Sequence, residues 1–218
     1  MNCKILFTIL LTFSLALIFG KNKERTYLFV GTYTDGKPNT GIFVYEFNST
    51  SGRLKEVSNV KKLTNPSFLT IAPNGRYLYA CTDTKLPTHG SVTAFSIDSM
   101  NGKLSGINKQ TSGGENPIYI TVHKNNKFVV VGNYGEGNAA VFTANDNGSL
   151  NPYTQIIHFK DSSINKVRQE KSHIHSTVFS ADNDYIFLPD LGADKIRVFK
   201  FDTTNIAPLI STDEYLVN

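Results

Sequence analysis

The chain has no tryptophan, only two cysteines, and few charged residues, which make up 18% of its 218 positions. Beyond residue 25 no apolar pattern with a sustained period of 3.6 residues occurs, which argues against helices. The periodic segments are instead rich in Tyr, Phe, Val, Ile and Thr, the residues that favour strands. The net charge of +4 is too dilute for a nucleic-acid surface, so no nucleic-acid partner is expected. The sequence predicts an all-β chain.

Long apolar runs are also scarce, and the one that stands out lies at the N-terminus, from Ile5 to Gly20. A basic start, an apolar stretch and a small residue at its end predict a signal peptide over residues 1–20. The run is shorter than the about 20 residues of a comfortable membrane span, so no stable span is expected after cleavage. The basic flank Lys21–Arg25 leaves an uncleaved anchor open. We expect an exported protein, periplasmic or extracellular, or a cytoplasmic one if the segment is not a functional signal.

Cysteine is nearly absent from the expected mature chain. Cleavage near Gly20 would remove Cys3 and leave Cys81 alone. A single cysteine excludes an internal disulfide and a thiolate metal cluster.

One sequence pattern recurs four times: an alternating strand with an aromatic residue, a polar turn, and a leucine. The aromatics follow one another at intervals of 50, 47 and 57 residues, and they are Tyr45, Phe95, Phe142 and Phe199. The leucines that follow them are Leu54, Leu104, Leu150 and Leu209. A strand-built period near 50 residues is typical of a β-propeller blade.

A second sequence pattern, which predicts a hairpin, precedes the aromatic strand in three of the four units. The hairpins cover residues 66–79, 117–130 and 173–188, and the first contains the turn Asn74-Gly75, a strong hairpin signal. Each full unit therefore has four strands, and the chain has about four blades. The first unit begins at Tyr27 without the first strand of its hairpin.

Several segments resemble the seven-bladed propeller lactonases, a family that includes 6-phosphogluconolactonases and carboxy-muconate lactonising enzymes. They are Phe29–Thr34, Asn133–Asn138, Arg168-Gln169, Ser172–Ser176 and Pro189–Lys195. The resemblance implies that residues 26–218 are about four blades of an expected seven, with a site at the mouth of the central channel. It also implies a catalytic His in a His-x-His segment, present here as His173 and His175. The family's Gly-Pro-Arg-His and Asn-Glu segments would follow Asn218, so the chain resembles the N-terminal portion.

His173 and His175 are the candidate catalytic residues. The alignment of the hairpins predicts that His175 replaces Phe68 and Tyr119, and that His173 replaces two prolines. Two residues apart on a strand, the two imidazoles face one side and can exchange a proton near neutral pH. A hydrogen-bonded structural pair is the alternative. A metal would need a third ligand, and the other histidines fall at unrelated repeat positions, so no metal or cofactor is expected.

Three further residues are candidates for binding the substrate. Asn133 and Asp190 follow the second strand of their hairpins, where strand-end loops line a propeller channel. Arg168 lies in an insertion, residues 161–171, that interrupts the repeat and is expected to extend over a binding face. Its guanidinium could hold an anionic group by charge-assisted hydrogen bonds. Turn capping by Asp190 and a solvated basic loop around Arg168 are the alternatives.

Two functions remain open at the level of sequence. The first is a lactone hydrolase like 6-phosphogluconolactonase, acting on a sugar lactone. The second is an exported propeller that binds without catalysis, or an inactive fragment of the lactonase. In either case, the radial faces of an incomplete ring are apolar, so further blades or another protein surface are expected to cover them.

Overall fold

The computed structural model describes residues 25–35, 37 and 41–216, and this part of the chain contains strands and turns but no helix. No segment within it could cross a membrane as a helix. The predicted signal peptide, residues 1–20, lies outside the described residues. The fifteen strands are β1 Thr26–Gly31, β2 Gly41–Phe47, β3 Leu54–Lys61, β4 Phe68–Ile71, β5 Tyr77–Thr82, β6 Ser91–Ile97, β7 Leu104–Thr111, β8 Pro117–Val122, β9 Phe128–Asn133, β10 Asn138–Ala144, β11 Leu150–His158, β12 Val178–Phe179, β13 Tyr185–Asp190, β14 Lys195–Phe201 and β15 Leu209–Leu216.

The strands form four antiparallel sheets in sequence order, and each sheet is one blade. Blade 1 has the order β1-β2-β3, and blades 2, 3 and 4 add a first strand to give β4-β5-β6-β7, β8-β9-β10-β11 and β12-β13-β14-β15. The predicted all-β propeller with four units is confirmed, including a first unit that has three strands in the described part of the chain.

The recurring aromatics mark a local irregularity of the sheet. The pairing register shifts immediately before Tyr45, Phe95, Phe142 and Phe199, at the same place in the third repeat strand of every blade. A bulge at such a point increases the twist of the strand and redirects the side chain. The sequence period of about 50 residues therefore reports a repeated backbone feature as well as a repeated residue type.

Three hydrophobic cores fill the spaces between neighbouring blades. Ile42 of blade 1 shares a core with Leu78 of blade 2, and Tyr79 of blade 2 shares the next core with Phe142 of blade 3. Ile174, at the entrance to blade 4, belongs to the third core, between blades 3 and 4. Because each blade packs only against its neighbours, both sides of an inner blade are buried.

The turns of the three hairpins set the true register of the repeat. Gly75, Asn126 and Asn183 occupy the left-handed region with φ of 69°, 61° and 62°, and they lie 51 and 57 residues apart. Asn and Gly are the residues that enter this region most readily, so each turn is anchored by its backbone conformation.

This register corrects the alignment predicted for the two histidines by one residue. The 51- and 57-residue intervals make His173 equivalent to Asn65 and Asn116, rather than to two prolines. The backbone agrees, because Leu191 donates to the carbonyl of His173 as Tyr134 donates to that of Asn116. The predicted alignment was wrong because it matched short apolar patterns, which a shift of one residue barely alters.

The buried phenol of Tyr79 makes the fold sensitive to alkaline pH. Its side chain is 1% exposed, its hydroxyl donates to the carbonyl of Gly148 at 3.1 Å, and burial, aided by Tyr77, raises its pKa to about 12. A folded-state pKa above the unfolded value near 10 means that this stability is complete below pH 10 and is lost as the pH rises towards 12. Between pH 10 and pH 12, we expect the free energy of unfolding to fall by about 2 kcal/mol more in the wild type than in Tyr79→Phe.

Urea denaturation at pH 9, 10, 11 and 12 measures this difference. Tyr153→Phe, at a partly exposed position on β11, is the matched control and should follow the wild type. If the free energy of unfolding changed with pH equally in the wild type and in Tyr79→Phe, the raised pKa of Tyr79 would be contradicted.

Candidate active site at the channel mouth

The segment that enters blade 4 carries both candidate histidines. Ile174 pairs with Asp190 in an isolated bridge and is fully buried in the core between blades 3 and 4. With Ile174 directed into that core, both imidazoles lie against the ring of Tyr134, at centroid distances of 4.3 Å for His173 and 5.8 Å for His175. The ring of His173 is stacked on Tyr134 and that of His175 meets it edge-on.

His173 is held by partners on every side. Its Nδ1 lies 2.9 Å from the carbonyl oxygen of Tyr134, an acceptor, so Nδ1 carries a proton. Its Nε2 lies 3.2 Å from Oε1 of Glu170, and its backbone N–H donates to Oδ1 of Asp190 at 2.7 Å. The residue is only 6% exposed. The backbone N–H of Glu170 and the His173 ring together hold the pKa of Glu170 below its usual range. These contacts suit a residue that positions the segment.

His175 is the exposed member of the pair. The hydrogen bond that fixes it comes from its backbone N–H, which donates to the carbonyl of Pro189 at 2.9 Å. Its side chain borders two clefts, of about 490 Å³ and 540 Å³. A general base must be within reach of the proton that it removes at the bound substrate, and of the two imidazoles His175 has this access.

The cleft of about 490 Å³, here called the channel-mouth cleft, is built from all four blades. Four of its nine lining residues carry phenyl or phenol rings, and the nine are Tyr33, Phe68, Asn116, Ile118, Tyr119, Tyr134, Arg168, His175 and Ser176. A mainly apolar wall with a few polar groups is the usual make-up of a small-molecule site. The second cleft, here called the blade-4 cleft, is lined by Gln169, His175, Ser176, Pro189, Asp190, Leu191, Asp194, Lys195 and Ile196.

The insertion brings Arg168 to the channel-mouth cleft. Its Nη2 donates to the hydroxyl of Tyr134 at 3.2 Å, and the side chain is otherwise exposed at the cleft wall. Gln169 fastens the insertion to blade 4, since its Nε2 donates to the carbonyl of Leu191 at 3.0 Å and to Oδ1 of Asp194. The insertion therefore borders the channel-mouth cleft through Arg168, and binding of substrate by this face stays a prediction.

Asp190, predicted to bind substrate, is engaged inside blade 4. The residue is 2% exposed, and its Oδ2 accepts hydrogen bonds from Nε and Nη2 of Arg197 at 3.0 Å and 2.8 Å. Its Oδ1 accepts from the backbone N–H groups of His173 and Gly192. Both oxygens are therefore occupied within the chain, which favours a role in holding His173. Direct contact with substrate stays a prediction.

Asn133 lies at the equivalent position of blade 3 and is fully buried. Its Nδ2 donates to the carbonyl of Ser112 at 2.9 Å and to Oδ1 of Asn138 at 2.7 Å. The ends of the second hairpin strands show that Asp190 is equivalent to Asn133 in blade 3 and to Thr82 in blade 2. These contacts support the strand end of blade 3, and substrate binding by Asn133 also stays a prediction.

The same architecture occurs in known proteins. A family model described as "Lactonase, 7-bladed beta-propeller" matches residues 27–215. The chain belongs to this lactonase family.

Relatives in the family include enzymes with assigned names. The chain is 44% identical to a 6-phosphogluconolactonase of Formosa agariphila over 79% of the chain and 49% of that protein. It is 34% identical to a 6-phosphogluconolactonase of Bacillus subtilis over 79% of the chain and 48% of that protein. The solved structure of a periplasmic gluconolactonase from Pseudomonas aeruginosa superposes with a TM-score of 0.76 at 32% identity, covering 85% of this chain and 53% of that one. The chain spans about half the length of the curated relatives it matches.

Sequence reasoning missed most of the aromatic wall of this lactonase-family cleft. Tyr33, Phe68, Tyr119 and Tyr134 come from blades 1, 2 and 3, and the repeat presented two of them as ordinary strand residues. The signal that could have found them is the equivalence of Phe68 and Tyr119, aromatic at the same repeat position. Of the predicted site residues, the structure brings Arg168 and His175 into the channel-mouth cleft and His175 and Asp190 into the blade-4 cleft, while His173 is stacked on Tyr134.

Proposed function

We propose that this chain carries the active site of a sugar-lactone hydrolase. The observation that supports this most strongly is the exposed His175 at the aromatic channel-mouth cleft of a lactonase-family propeller. The hydrolase relatives named above share about half their length with this chain, so the activity is proposed for it by likeness.

The reaction would begin with attack of water on the carbonyl carbon of the lactone. His175 takes a proton from the water, a C–O bond forms, and negative charge develops on the carbonyl oxygen. Arg168 is the cation of the cleft that could stabilise this oxyanion. The bond to the ring oxygen then breaks, and the imidazolium of His175 returns its proton to that oxygen. The products are the hydroxyl and the carboxyl group of the open-chain sugar acid.

The substrate class follows from the shape and charge of the cleft. A volume of about 490 Å³ accommodates a monosaccharide, and aromatic walls pack against the C–H groups of its ring. Arg168 could instead contact a phosphate at the far end of the sugar, as a 6-phosphogluconolactone would provide. The names of the relatives span both a phosphorylated and an unphosphorylated lactone.

Export is part of the proposal. The apolar run at residues 5–20 has the length of a signal peptide, and the similar Pseudomonas aeruginosa protein is described as periplasmic. An exported member would meet extracellular or periplasmic sugar lactones. A scaffold that binds sugars in the same cleft without hydrolysing them is the second candidate, which the four Phe and Tyr rings of the lining also suit.

A hydrolysis assay separates the two candidates. We expect the purified chain to open glucono-δ-lactone or its 6-phosphate faster than buffer alone, measured as acid release at constant pH. Heat-denatured chain is the control for general base catalysis by the protein surface. Rates equal to that control for both lactones would overturn the hydrolase proposal, and binding without turnover would support the scaffold.

A further inference from the structure

Two stacked aromatic rings, one from blade 2 and one from blade 3, line the channel-mouth cleft, and blade 4 does not continue the stack. Phe68 and Tyr119 are equivalent residues on the first strands of blades 2 and 3, 51 residues apart. Their rings stack with centroids 4.1 Å apart and planes inclined by 28°. The next equivalent residue, 57 positions further on, is Ser176. Blade 4 therefore carries a hydroxymethyl group where its two predecessors carry a ring.

The repeat indicates where the missing ring would lie. The relation that takes blade 2 to blade 3 places the Tyr119 ring on the Phe68 ring. Applied once more, it places the side chain of residue 176 on the opposite face of Tyr119. Both residues line the channel-mouth cleft, and Ser176 also lines the blade-4 cleft. The small side chain thus leaves open a space that a third ring would fill.

We propose that this space is a subsite for the six-membered ring of a sugar lactone, stacked beside Ser176 on the face of Tyr119 opposite Phe68. The ring takes the place of the missing aromatic, with its C–H groups against the π face. Because His175 precedes Ser176 in the chain and borders the same cleft, a ring held there lies next to the imidazole. This inference deepens the hydrolase proposal and rests on it for the identity of the sugar.

A change at Ser176 tests the subsite through binding, independently of turnover. The probe is D-glucono-δ-lactam, a six-membered sugar ring that keeps the carbonyl but has N–H in place of the ring oxygen and resists hydrolysis. We expect Ser176→Tyr to restore the third ring, fill the subsite and weaken lactam binding by about tenfold or more. Ser176→Ala leaves the space open and should change the affinity by less than about threefold. Isothermal titration calorimetry on the full 218-residue chain gives both dissociation constants.

Controls separate loss of the subsite from loss of the fold. Ile210→Tyr adds the same ring to the outermost strand of blade 4, at a position 42% exposed, and should bind the lactam as the wild type does. Thermal unfolding of Ser176→Tyr should be unchanged, because the added ring stacks on Tyr119. Tyr119→Leu, which removes the stacking face and keeps an apolar side chain, should weaken binding by about tenfold.

Each outcome bears on the inference. Unchanged lactam binding by Ser176→Tyr would overturn it, as would a wild type that binds no lactam. Equal losses in Ser176→Ala and Ser176→Tyr would also overturn it, since the hydroxyl would then matter rather than the open space. Lactam binding that is lost only in Ser176→Tyr, in a chain that does not hydrolyse lactones, would support the subsite while the hydrolase proposal fails. If Ser176→Tyr hydrolysed the lactone at the wild-type rate, the hydrolase proposal would stand and the subsite proposal would be overturned.

Discussion

His175→Ala is expected to lower kcat for lactone hydrolysis by about 10²–10⁴-fold, the usual contribution of a general acid–base residue. The reason is positional: His175 is the imidazole with access to the channel-mouth cleft, whereas His173 is 6% exposed and engaged at both ring nitrogens. The measurement is initial rate against substrate concentration, so that kcat and KM are obtained separately. Removal of a group that acts mainly in the transition state lowers kcat more than it raises KM.

The repeat itself provides the matched variant. His173→Asn introduces the residue that stands at the equivalent positions, Asn65 and Asn116. An amide retains hydrogen-bonding capacity towards the carbonyl of Tyr134, so we expect a loss in kcat of less than about tenfold, the effect of a displaced neighbour. A large loss in His173→Asn together with a normal rate in His175→Ala would contradict this division of roles and make the buried imidazole the acid–base group.

Asp190→Ala is expected to destabilise the chain by about 3 kcal/mol, because it removes the buried carboxylate that pairs with the buried guanidinium of Arg197. Arg197 is 2% exposed, and its Nη2 lies 2.8 Å from Oδ2 of Asp190. The same substitution leaves the backbone N–H groups of His173 and Gly192 without their acceptor. Urea denaturation with linear extrapolation gives the change in the free energy of unfolding.

Asp161→Asn is the control for this second prediction. Asp161 also accepts from Nη2 of Arg197, and this hydrogen bond holds its pKa below the usual range, but its side chain is 44% exposed. Solvent screens the pair, so we expect a cost of no more than about 1 kcal/mol. If Asp190→Ala costs no more than Asp161→Asn, then the buried pair does not stabilise blade 4. A third variant, Asp190→Asn, keeps the side-chain volume and should fall between the two.

Particular residues show how far the sequence could be used. The spacing of Tyr45, Phe95 and Phe142 predicted the blades, and each of these residues marks a register shift in its strand. The pattern succeeded because strand packing between blades needs the same side chains at the same points in every unit. The alignment of His173 and His175 failed by one residue, since a one-residue shift changes the face but barely alters a short apolar pattern.

The site required more than the local pattern. Arg168 and Tyr134 are 34 residues apart, and they meet because the insertion folds back over the end of blade 3. The burial of His173 depends on Glu170 and on the Tyr134 loop of the preceding blade, and sequence spacing carries no information about either contact. Sequence could therefore name both histidines but could not distinguish the positioning one from the accessible one.

What the sequence by itself determined was the repeat, and with it the strand order and the four blades, the first of which has three strands in the described part of the chain. These features depend on the local periodicity of apolar and aromatic residues, which can be seen in the sequence alone. Only the tertiary structure decided which polar side chains are enclosed, as in the pair of Asp190 and Arg197, and which remain open to the channel mouth, as in His175. The physical reason is that burial is set by neighbouring blades about 50 residues away, and the same strand-end carboxylate can face either solvent or a buried arginine.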